Sequence, residues 1–289
     1  MGLRDLCQQY NIRFKKGLGQ NLLLDDNVNR IMVEAAALTP ADDVVEVGAG
    51  LGALTERLAS HAGRVLAIEI DDAFIPCLRD RFGHLDHVRL FHGDVLNHPL
   101  PKLLHEFLPG GGEYKMVSNL PYYITSTILF HFWEAPVHVS RMVVMVQEEV
   151  AKRMTADVGT REYGALSLAA RLYADVDIVR KVPRTCFAPR PNVDSCIVRL
   201  RARKSPLYPG DEVLFVMRVV RAAFAQRRKT LRNSLTRSGR FGAPADAVAA
   251  AMAAAGIDPG RRPQTVTVEE FGRLAHAIRE RIRQDSSSG

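Results

Sequence analysis

Cysteine is scarce in this 289-residue sequence, and its placement indicates neither a metal site nor a redox site. The four cysteines, Cys7, Cys77, Cys186 and Cys196, form no Cys-x-x-Cys pair, and the nine histidines show no zinc-ligand spacing. We therefore expect reduced thiols and no bound metal, the usual condition of cysteine in a cytoplasmic protein.

Long apolar runs are also missing. No stretch approaches the ~20 apolar residues of a membrane-spanning helix. The N-terminus lacks the charged-then-apolar pattern of a secretory signal. The sequence is 47% hydrophobic and 25% charged, as in folded globular domains. We expect a cytoplasmic protein that does not associate with membranes, and nothing indicates an obligate dimer, so we expect a monomer.

What the sequence does contain, from residue 42 to residue 147, is an alternation of short β-rich runs with helical stretches. Together with two later runs, the predicted strands are 44–47, 64–70, 88–92, 114–118, 141–147, 175–182 and 195–203. The predicted helices are 28–37 (capped by Asp25 or Asp26), 53–60, 72–81, 125–133, 148–154 and 164–173. Such alternation predicts an α/β fold with a doubly wound, mainly parallel, seven-stranded sheet.

The composition changes near Lys204-Ser205-Pro206, beyond which the sequence is rich in Ala and Arg and has no strand pattern. We therefore predict an α/β domain over residues 1–204 and a small all-helical domain over residues 205–289, ending in a disordered tail from Asp285. The net charge of +7 is concentrated here, since residues 213–245 hold eight basic residues and no acid.

A glycine-rich turn follows the first predicted strand of the alternation. It reads Glu46-Val-Gly-Ala-Gly-Leu-Gly52, and Gly48 and Gly50 permit a tight turn and close approach of a ligand. The pattern is GxGxG after an acid, whereas dinucleotide enzymes carry GxGxxG. The turn therefore favours S-adenosylmethionine over NAD.

Polar residues end four successive strands at intervals of one βα repeat: Glu46, Glu69, Asp94 and Asn119. The carboxyl ends of parallel strands share one edge of a sheet, so these side chains should line a common site. There Glu69 would accept hydrogen bonds from ribose hydroxyls, and Asp94 would accept one from the adenine amino group of the methyl donor. Turn-forming acids at strand ends are the alternative interpretation.

The tetrapeptide Asn119-Leu120-Pro121-Tyr122 is suited to holding an adenine amino group. The Asn119 side-chain oxygen and the Leu120 carbonyl would accept its two hydrogens and aim the nitrogen at a methyl group. Pro121 stiffens the turn, and Tyr122 offers a face for a splayed-out base. Phe187, from a later Pro-rich loop, would stack on the second face, unless it is a hydrophobic plug.

In order along the chain, these motifs resemble those of the ribosomal RNA adenine dimethyltransferase family, most closely its bacterial small-subunit members. They are Gly19-Gln-Asn-Leu-Leu23, the glycine turn, Asp94, Asn119 to Tyr122, the Phe187 loop to Ser195, and Gln226-Arg-Arg-Lys-Thr-Leu-Arg232. Two positions depart from this pattern. Leu22 stands where many members carry Phe, and Tyr123 stands where some members carry Asn.

The resemblance implies dimethylation, with S-adenosylmethionine, of two adjacent adenosines near the 3′ end of small-subunit ribosomal RNA in an assembling 30S particle. It implies donor contacts from the following residues: Gln20, Asn21, Leu23, Glu46, Gly48, Gly50, Glu69, Asp94 and Asn119. It assigns the target adenine to Asn119, Leu120, Tyr122 and Phe187.

Three other functions share parts of these patterns. A large-subunit ribosomal RNA dimethyltransferase that confers macrolide resistance matches the Phe187 loop and the 226–232 run poorly. DNA adenine methyltransferases typically carry Pro at the position of Leu120 and need a target-recognition domain. A non-catalytic RNA-binding assembly factor would not require an intact donor site.

The basic run of the C-terminal part is predicted to bind RNA through phosphates, which position an RNA without specifying its sequence. Its candidate residues are Arg221, Arg227, Arg228, Lys229 and Arg232. A solvated helix face is the alternative, although consecutive residues 227–229 cannot all lie on one face.

Overall fold

The computed structural model describes residues 3–12, 20–205, 207–226, 228–237 and 245–287. The chain divides into two compact units. The first, here called the α/β unit, comprises Met1–Ala151 and Val176–Ala202. The second, here called the helical unit, comprises Lys152–Asp175 and Arg203–Gly289.

The α/β unit contains a seven-stranded sheet and the mainly parallel topology that the alternation predicts. Its strands are β2 (Asp43–Val47), β3 (Arg64–Glu69), β4 (Val88–His92), β5 (Tyr114–Asn119), β6 (Val139–Gln147), β7 (Ala174–Val182) and β9 (Ser195–Ala202). They run in the spatial order β4-β3-β2-β5-β6-β9-β7. Neighbours from β4 to β6 are parallel, and β9 is antiparallel to β6.

Helices flank this sheet and supply much of its core. They are α1 (Leu3–Gln9), α2 (Asp26–Ala36), α3 (Ala53–Ala59), α4 (Ile75–Phe82), α5 (Leu100–Phe107) and α6 (Thr125–Glu134), with α7 (Glu148–Thr155) crossing the boundary at Ala151. Asp25 caps α2 as predicted, since its side chain accepts from the Asn27 amide at 3.0 Å. The predicted fold class is confirmed.

Three features of the α/β unit were not predicted, the first being the N-terminal helix α1. Helix α5 follows Pro99 and carries Pro101 in its first turn, and two prolines so close together indicate a loop rather than a helix. A two-residue strand β1 (Leu22–Leu23) pairs antiparallel with β8 (Phe187–Ala188). That pairing joins residues about 165 positions apart, and no local pattern encodes it.

The helical unit differs from the predicted C-terminal domain in its boundary. One junction, at residues 202–203, agrees with the composition change, but Lys152–Asp175 also belongs to this unit. Buried Tyr163 donates to the Val266 carbonyl at 3.0 Å, and the Gly159 amide donates to the Gln264 carbonyl at 2.8 Å. Composition does not change across residues 151–175, so only these long-range contacts reveal the grouping.

Helices account for most of the regular structure in the helical unit. They are α8 (Ala165–Tyr173), α9 (Gly210–Phe224), α10 (Leu231–Arg237), α11 (Ala245–Ala254) and α12 (Val268–Ser287). Helix α12 continues to Ser287, whereas the sequence predicts a disordered tail from Asp285, because a long amphipathic helix propagates into a polar end at little cost. No helix in the described ranges is both long and apolar enough to cross a membrane.

Candidate active site

A cleft with a volume of about 220 Å³ opens at the carboxyl edge of β2, β3, β4 and β5. The residues predicted to contact the methyl donor all line it: Gln20, Asn21, Leu23, Glu46, Gly48, Gly50, Glu69, Asp94 and Asn119. Leu120, Pro121 and Tyr122, predicted to hold the target base, also line it. The doubly wound topology therefore brings the two predicted groups of residues to one place.

The glycine turn forms one wall of the cleft. Gly48 and Gly50 have φ of +82° and +56°, a left-handed conformation that favours glycine. The amides of Gly48 and Ala49 donate to the Ile68 carbonyl at 2.8 and 3.2 Å, which fastens the turn to β3. A Cβ at Gly48 would lie 3.5 Å from the Pro121 ring. The turn thus runs directly against the residues predicted to hold the base.

Glu69, at the end of β3, is a carboxylate fixed by backbone amides. Its Oε1 accepts from the amides of Ile70 and Asp71, both at 2.9 Å, and its Oε2 accepts from the Gly50 amide at 2.8 Å. Burial raises the pKa of Glu69, and these three hydrogen bonds act against that rise. A carboxylate has about four acceptor positions. One position on Oε2 is left for a hydroxyl in the cleft.

Glu46 has a different environment, although it lies near the end of the neighbouring strand. It is only 1% exposed, and its Oε2 accepts from the Thr55 hydroxyl at 2.5 Å. Burial raises the pKa of Glu46 to about 8, the Thr55 hydrogen bond acts in the opposite direction, and the nearby Glu69 carboxylate adds to the rise. The Glu46 carboxyl is thus largely protonated at neutral pH.

Asp94 follows β4 and also lines the cleft. Its Oδ1 accepts from the Leu96 amide at 2.9 Å, which caps the short 3₁₀ turn Val95–Asn97. The Asn97 side chain donates to Oδ2 at 3.3 Å. Exposed Tyr123, which also lines the cleft, has its pKa raised by partial burial and by the negative charges of Asp94 and Glu69.

Asn119 is tied to the N-terminal segment by its amide nitrogen. Nδ2 donates to the Asn21 carbonyl at 3.4 Å. This bond directs the amide so that the remaining oxygen, Oδ1, serves as an acceptor. Asn21 and Asn119 lie 98 positions apart, and their contact brings the first motif of the resemblance to the cleft.

The turn from Asn119 to Tyr122 is fastened on several sides. The Leu120 amide donates to the Met145 carbonyl at 3.3 Å, and the buried Thr125 hydroxyl donates to the Pro121 carbonyl at 2.9 Å. In the part of the chain that the structure describes, no donor is bonded to the Leu120 carbonyl oxygen. The Tyr122 hydroxyl lies 2.6 Å from the Ser195 hydroxyl.

Phe187 is not placed where the sequence predicts. It is 3% exposed, belongs to the hydrophobic core and pairs with Leu23 through β8 and β1. Among the described residues it is not part of the cleft lining. The hydrophobic-plug interpretation fits this position, because strand pairing turns the side chain into the core rather than toward the cleft.

Among the polar residues that line the cleft, sequence reasoning missed Tyr123 and Asn29. Tyr123 is 53% exposed at the cleft, and Asn29 is a buried polar residue of α2 that lines it. The aromatic pair Tyr122-Tyr123 was a visible signal for the first. A single Asn within an amphipathic helix gave no signal for the second.

The predicted phosphate-binding residues lie in the helical unit. Arg228, Lys229 and Arg232 are exposed around the turn that begins α10, Arg221 is half-buried on α9, and Arg227 lies outside the described residues. No ion pair to Arg228, Lys229 or Arg232 is found within the described ranges. Their charges are thus not neutralised by neighbouring acids of those ranges.

A doubly wound sheet with a cleft at its carboxyl edge, an acid-led glycine turn and the Asn-Leu-Pro-Tyr turn define a methyltransferase. The chain belongs to the ribosomal RNA adenine dimethylase family, whose model matches residues 11–280.

Three similar proteins illustrate this membership. Ribosomal RNA small subunit methyltransferase A of Geobacillus kaustophilus is 41% identical over 276 residues, 95% of this chain and 94% of that protein. The crystal structure of the 23S rRNA methyltransferase ErmE is 29% identical, with a TM-score of 0.64, covering 89% of this chain and 99% of that one. A Plasmodium falciparum dimethyladenosine transferase has the same fold, with a TM-score of 0.70 at 24% identity and coverage of 90% and 98%.

Proposed function

We propose that this protein transfers methyl groups from S-adenosylmethionine to the N6 atoms of two adjacent adenosines near the 3′ end of small-subunit ribosomal RNA. The observation that carries the proposal is the pair of acceptors, Asn119 Oδ1 and the Leu120 carbonyl, at a cleft whose other end suits the donor. The 41% identity to small-subunit methyltransferases over 95% of the chain supports that substrate.

The residues at the glycine-turn end of the cleft fit S-adenosylmethionine. The remaining acceptor position of Glu69 suits a ribose hydroxyl, and the Asp94 carboxylate suits an adenine amino group. The left-handed glycines let the donor approach the backbone closely. When bound, S-adenosylmethionine supplies a methyl group activated on a positively charged sulfur.

At the other end, the protein orients the nucleophile. The lone pair of an adenine N6 is delocalised into the ring, which makes the amino group a poor nucleophile. Hydrogen bonds from its two hydrogens to Asn119 Oδ1 and the Leu120 carbonyl return electron density to nitrogen and aim it. Tyr122 supplies a stacking face for a base taken out of its helix.

No strong general base is required. The methylated amino group is acidic enough while positively charged to lose its proton to water or to a nearby carbonyl. Positioning therefore supplies most of the catalysis, and the buried Glu46 carboxyl, protonated at neutral pH, is not needed as a base.

Arg228, Lys229 and Arg232, with Arg221 and Arg227, would hold the RNA through its phosphates. We further propose that the protein acts as a cytoplasmic monomer on a late assembling 30S particle. The 41% identity to the small subunit methyltransferase of Geobacillus kaustophilus supports that partner.

Mass spectrometry of ribosomal RNA tests the proposal. Small subunits lacking the modification are incubated with protein and S-adenosylmethionine, with large subunits and duplex DNA in parallel. We expect two adjacent dimethyladenosines near the 3′ end of small-subunit RNA. Modification of large-subunit RNA alone would indicate the macrolide-resistance activity, preferential DNA methylation a DNA enzyme, and binding without methyl transfer an assembly factor.

A further inference from the structure

Ser195 forms a direct link between the turn from Asn119 to Tyr122, here called the base-holding turn, and the late Pro-rich loop. Its hydroxyl lies 2.6 Å from the Tyr122 hydroxyl, although the two residues are 73 positions apart. Ser195 is 0% exposed, whereas Tyr122 lines the cleft. The hydrogen bond therefore connects a solvent-inaccessible serine to a residue that lines the cleft.

The anchor itself is held firmly. Ser195 opens β9 and pairs with Gln147 at the end of β6. The carbonyl of the preceding residue, Asp194, accepts from the Glu148 amide at 3.0 Å, and its carboxylate accepts from the Arg184 amide at 3.0 Å. The backbone of Ser195 is thus fixed on both sides, and its hydroxyl is a stationary partner for Tyr122.

A hydrogen bond to such a partner fixes the orientation of an aromatic ring on a tight turn. Stacking a base requires the ring in one orientation, and holding a mobile side chain in place costs free energy when the ligand binds. A hydrogen bond to a rigid group removes that cost before binding, and catalytic geometry must be held within about 0.5 Å. Burial raises the pKa of Tyr122, so the phenol stays protonated and keeps this bond at neutral pH.

We propose that Ser195 is a positioning residue for the methyl transfer, fixing the Tyr122 ring against which the target adenine stacks. The inference rests on the proposed function. Ser195 acts only through Tyr122, and the Phe187 loop contributes to the site through this serine rather than through its buried phenylalanine.

A double-mutant cycle on the full-length protein tests the inference, with Ser195→Ala, Tyr122→Phe and both together. Each single change removes the same hydrogen bond, so we expect each to lower kcat on small-subunit RNA by about five- to twenty-fold, and the double variant to lose no more. The Kd for S-adenosylmethionine should stay within about two-fold. Ser195→Thr, which keeps a hydroxyl, should recover part of the activity.

A spectroscopic readout separates positioning from a merely structural role. In RNA that carries 2-aminopurine at the target adenosine, the fluorescence of this base should be quenched when the wild-type protein binds. Ser195→Ala should quench it less, at unchanged RNA affinity. Ser167→Ala is the matched control: Ser167 is also 0% exposed, and its hydroxyl donates to the Arg153 carbonyl at 2.5 Å in the helical unit. It should lower thermal stability without lowering kcat or quenching.

Two results would overturn the inference: wild-type kcat in Ser195→Ala, or a double variant whose reduction in kcat equals the product of the two single reductions. If Ser195→Ala does not fold, the kcat of Tyr122→Phe, which keeps the ring but lacks the hydrogen bond, decides the question by itself. A wild-type protein that methylates no small-subunit RNA would reject the proposed function and this inference with it, whereas an active wild type with an equally active Ser195→Ala would reject the inference alone.

Discussion

Polar groups at the two ends of the cleft are fixed in different ways. At the donor end, Glu69 is held by backbone amides of its own strand end and of the adjacent glycine turn. At the base end, Asn119 is held by Asn21 and Tyr122 is held by Ser195. These two partners come from the N-terminal and C-terminal parts of the sequence of the α/β unit. The first arrangement follows from local topology, whereas the second exists only after distant segments have met.

The base end should show the largest effect on catalysis. Asn119→Ala removes an acceptor for the N6 hydrogens, and loss of one such preorganised group typically lowers kcat by about 10²–10³-fold. We expect methyl transfer from labelled donor to fall by that factor, with RNA affinity in a filter-binding assay largely intact. A parallel loss of RNA binding would show that chemistry and docking are not separate at this end.

The burial of Glu46 at the donor end should appear in the pH dependence of stability. The folded chain keeps this carboxyl protonated up to its pKa of about 8, whereas the unfolded chain releases the proton near 4.5. The folded state therefore holds more protons between these values, and its stability falls as pH rises through the window. At pH 7, Glu46→Gln should remove a destabilisation on the order of 3 kcal/mol.

Urea unfolding at pH 5, 6.5 and 8 measures this difference. The wild-type free energy of unfolding should fall more steeply with pH than that of Glu46→Gln. Parallel pH profiles for the two proteins would mean that the buried carboxyl does not titrate as its surroundings indicate.

Glu69→Gln tests the donor end alone. The substitution places an amide group among three backbone donors and removes the acceptor offered to a ribose hydroxyl. Since a hydrogen bond to a charged group is worth about 1.5–3 kcal/mol, donor Kd should rise about 10- to 100-fold. Isothermal calorimetry measures the Kd for the donor, and the affinity for RNA serves as the control. An unchanged donor Kd would contradict the assignment of Glu69 to the ribose hydroxyls.

The smallest effect is expected outside the cleft. Replacing residues 227–229 (Arg-Arg-Lys) with alanine removes charges that would bind phosphates, and the slope of log K against log salt should become shallower by about 0.7–0.9 for each phosphate that is no longer neutralised. Affinity should weaken while kcat at saturating RNA stays near the wild-type value. Titrations over a range of salt concentrations check this, and an identical slope would reject phosphate binding by these residues.

The same contrast explains how much the sequence could predict. The sheet and the strand-end residues Glu46, Glu69 and Asp94 were predictable, because each βα repeat carries its own periodicity and turn chemistry. The link from the base-holding turn to Ser195 was not, since Ser195 lies 73 positions from Tyr122 and only the fold brings the two hydroxyls together.

Phe187 and the segment 152–175 illustrate the same limit. An aromatic residue in a Pro-rich loop has the chemistry of a base-stacking residue, but a two-residue strand pairing decides that it points into the core. Lys152–Asp175 reads as a continuation of the α/β pattern, and only contacts such as that of Tyr163 with Val266 group it with the C-terminal helices.

The pairing of Leu23 with Phe187 also sets an order of events during synthesis. The N-terminal wall of the cleft is made first, yet its strand partner is synthesised about 165 residues later. At about 5–20 residues per second, that wall waits roughly 10–30 seconds for completion. A nascent chain that stops before Phe187 thus carries the glycine turn and Asn119, but the segment Leu22–Leu23 that lines the cleft still lacks its strand partner.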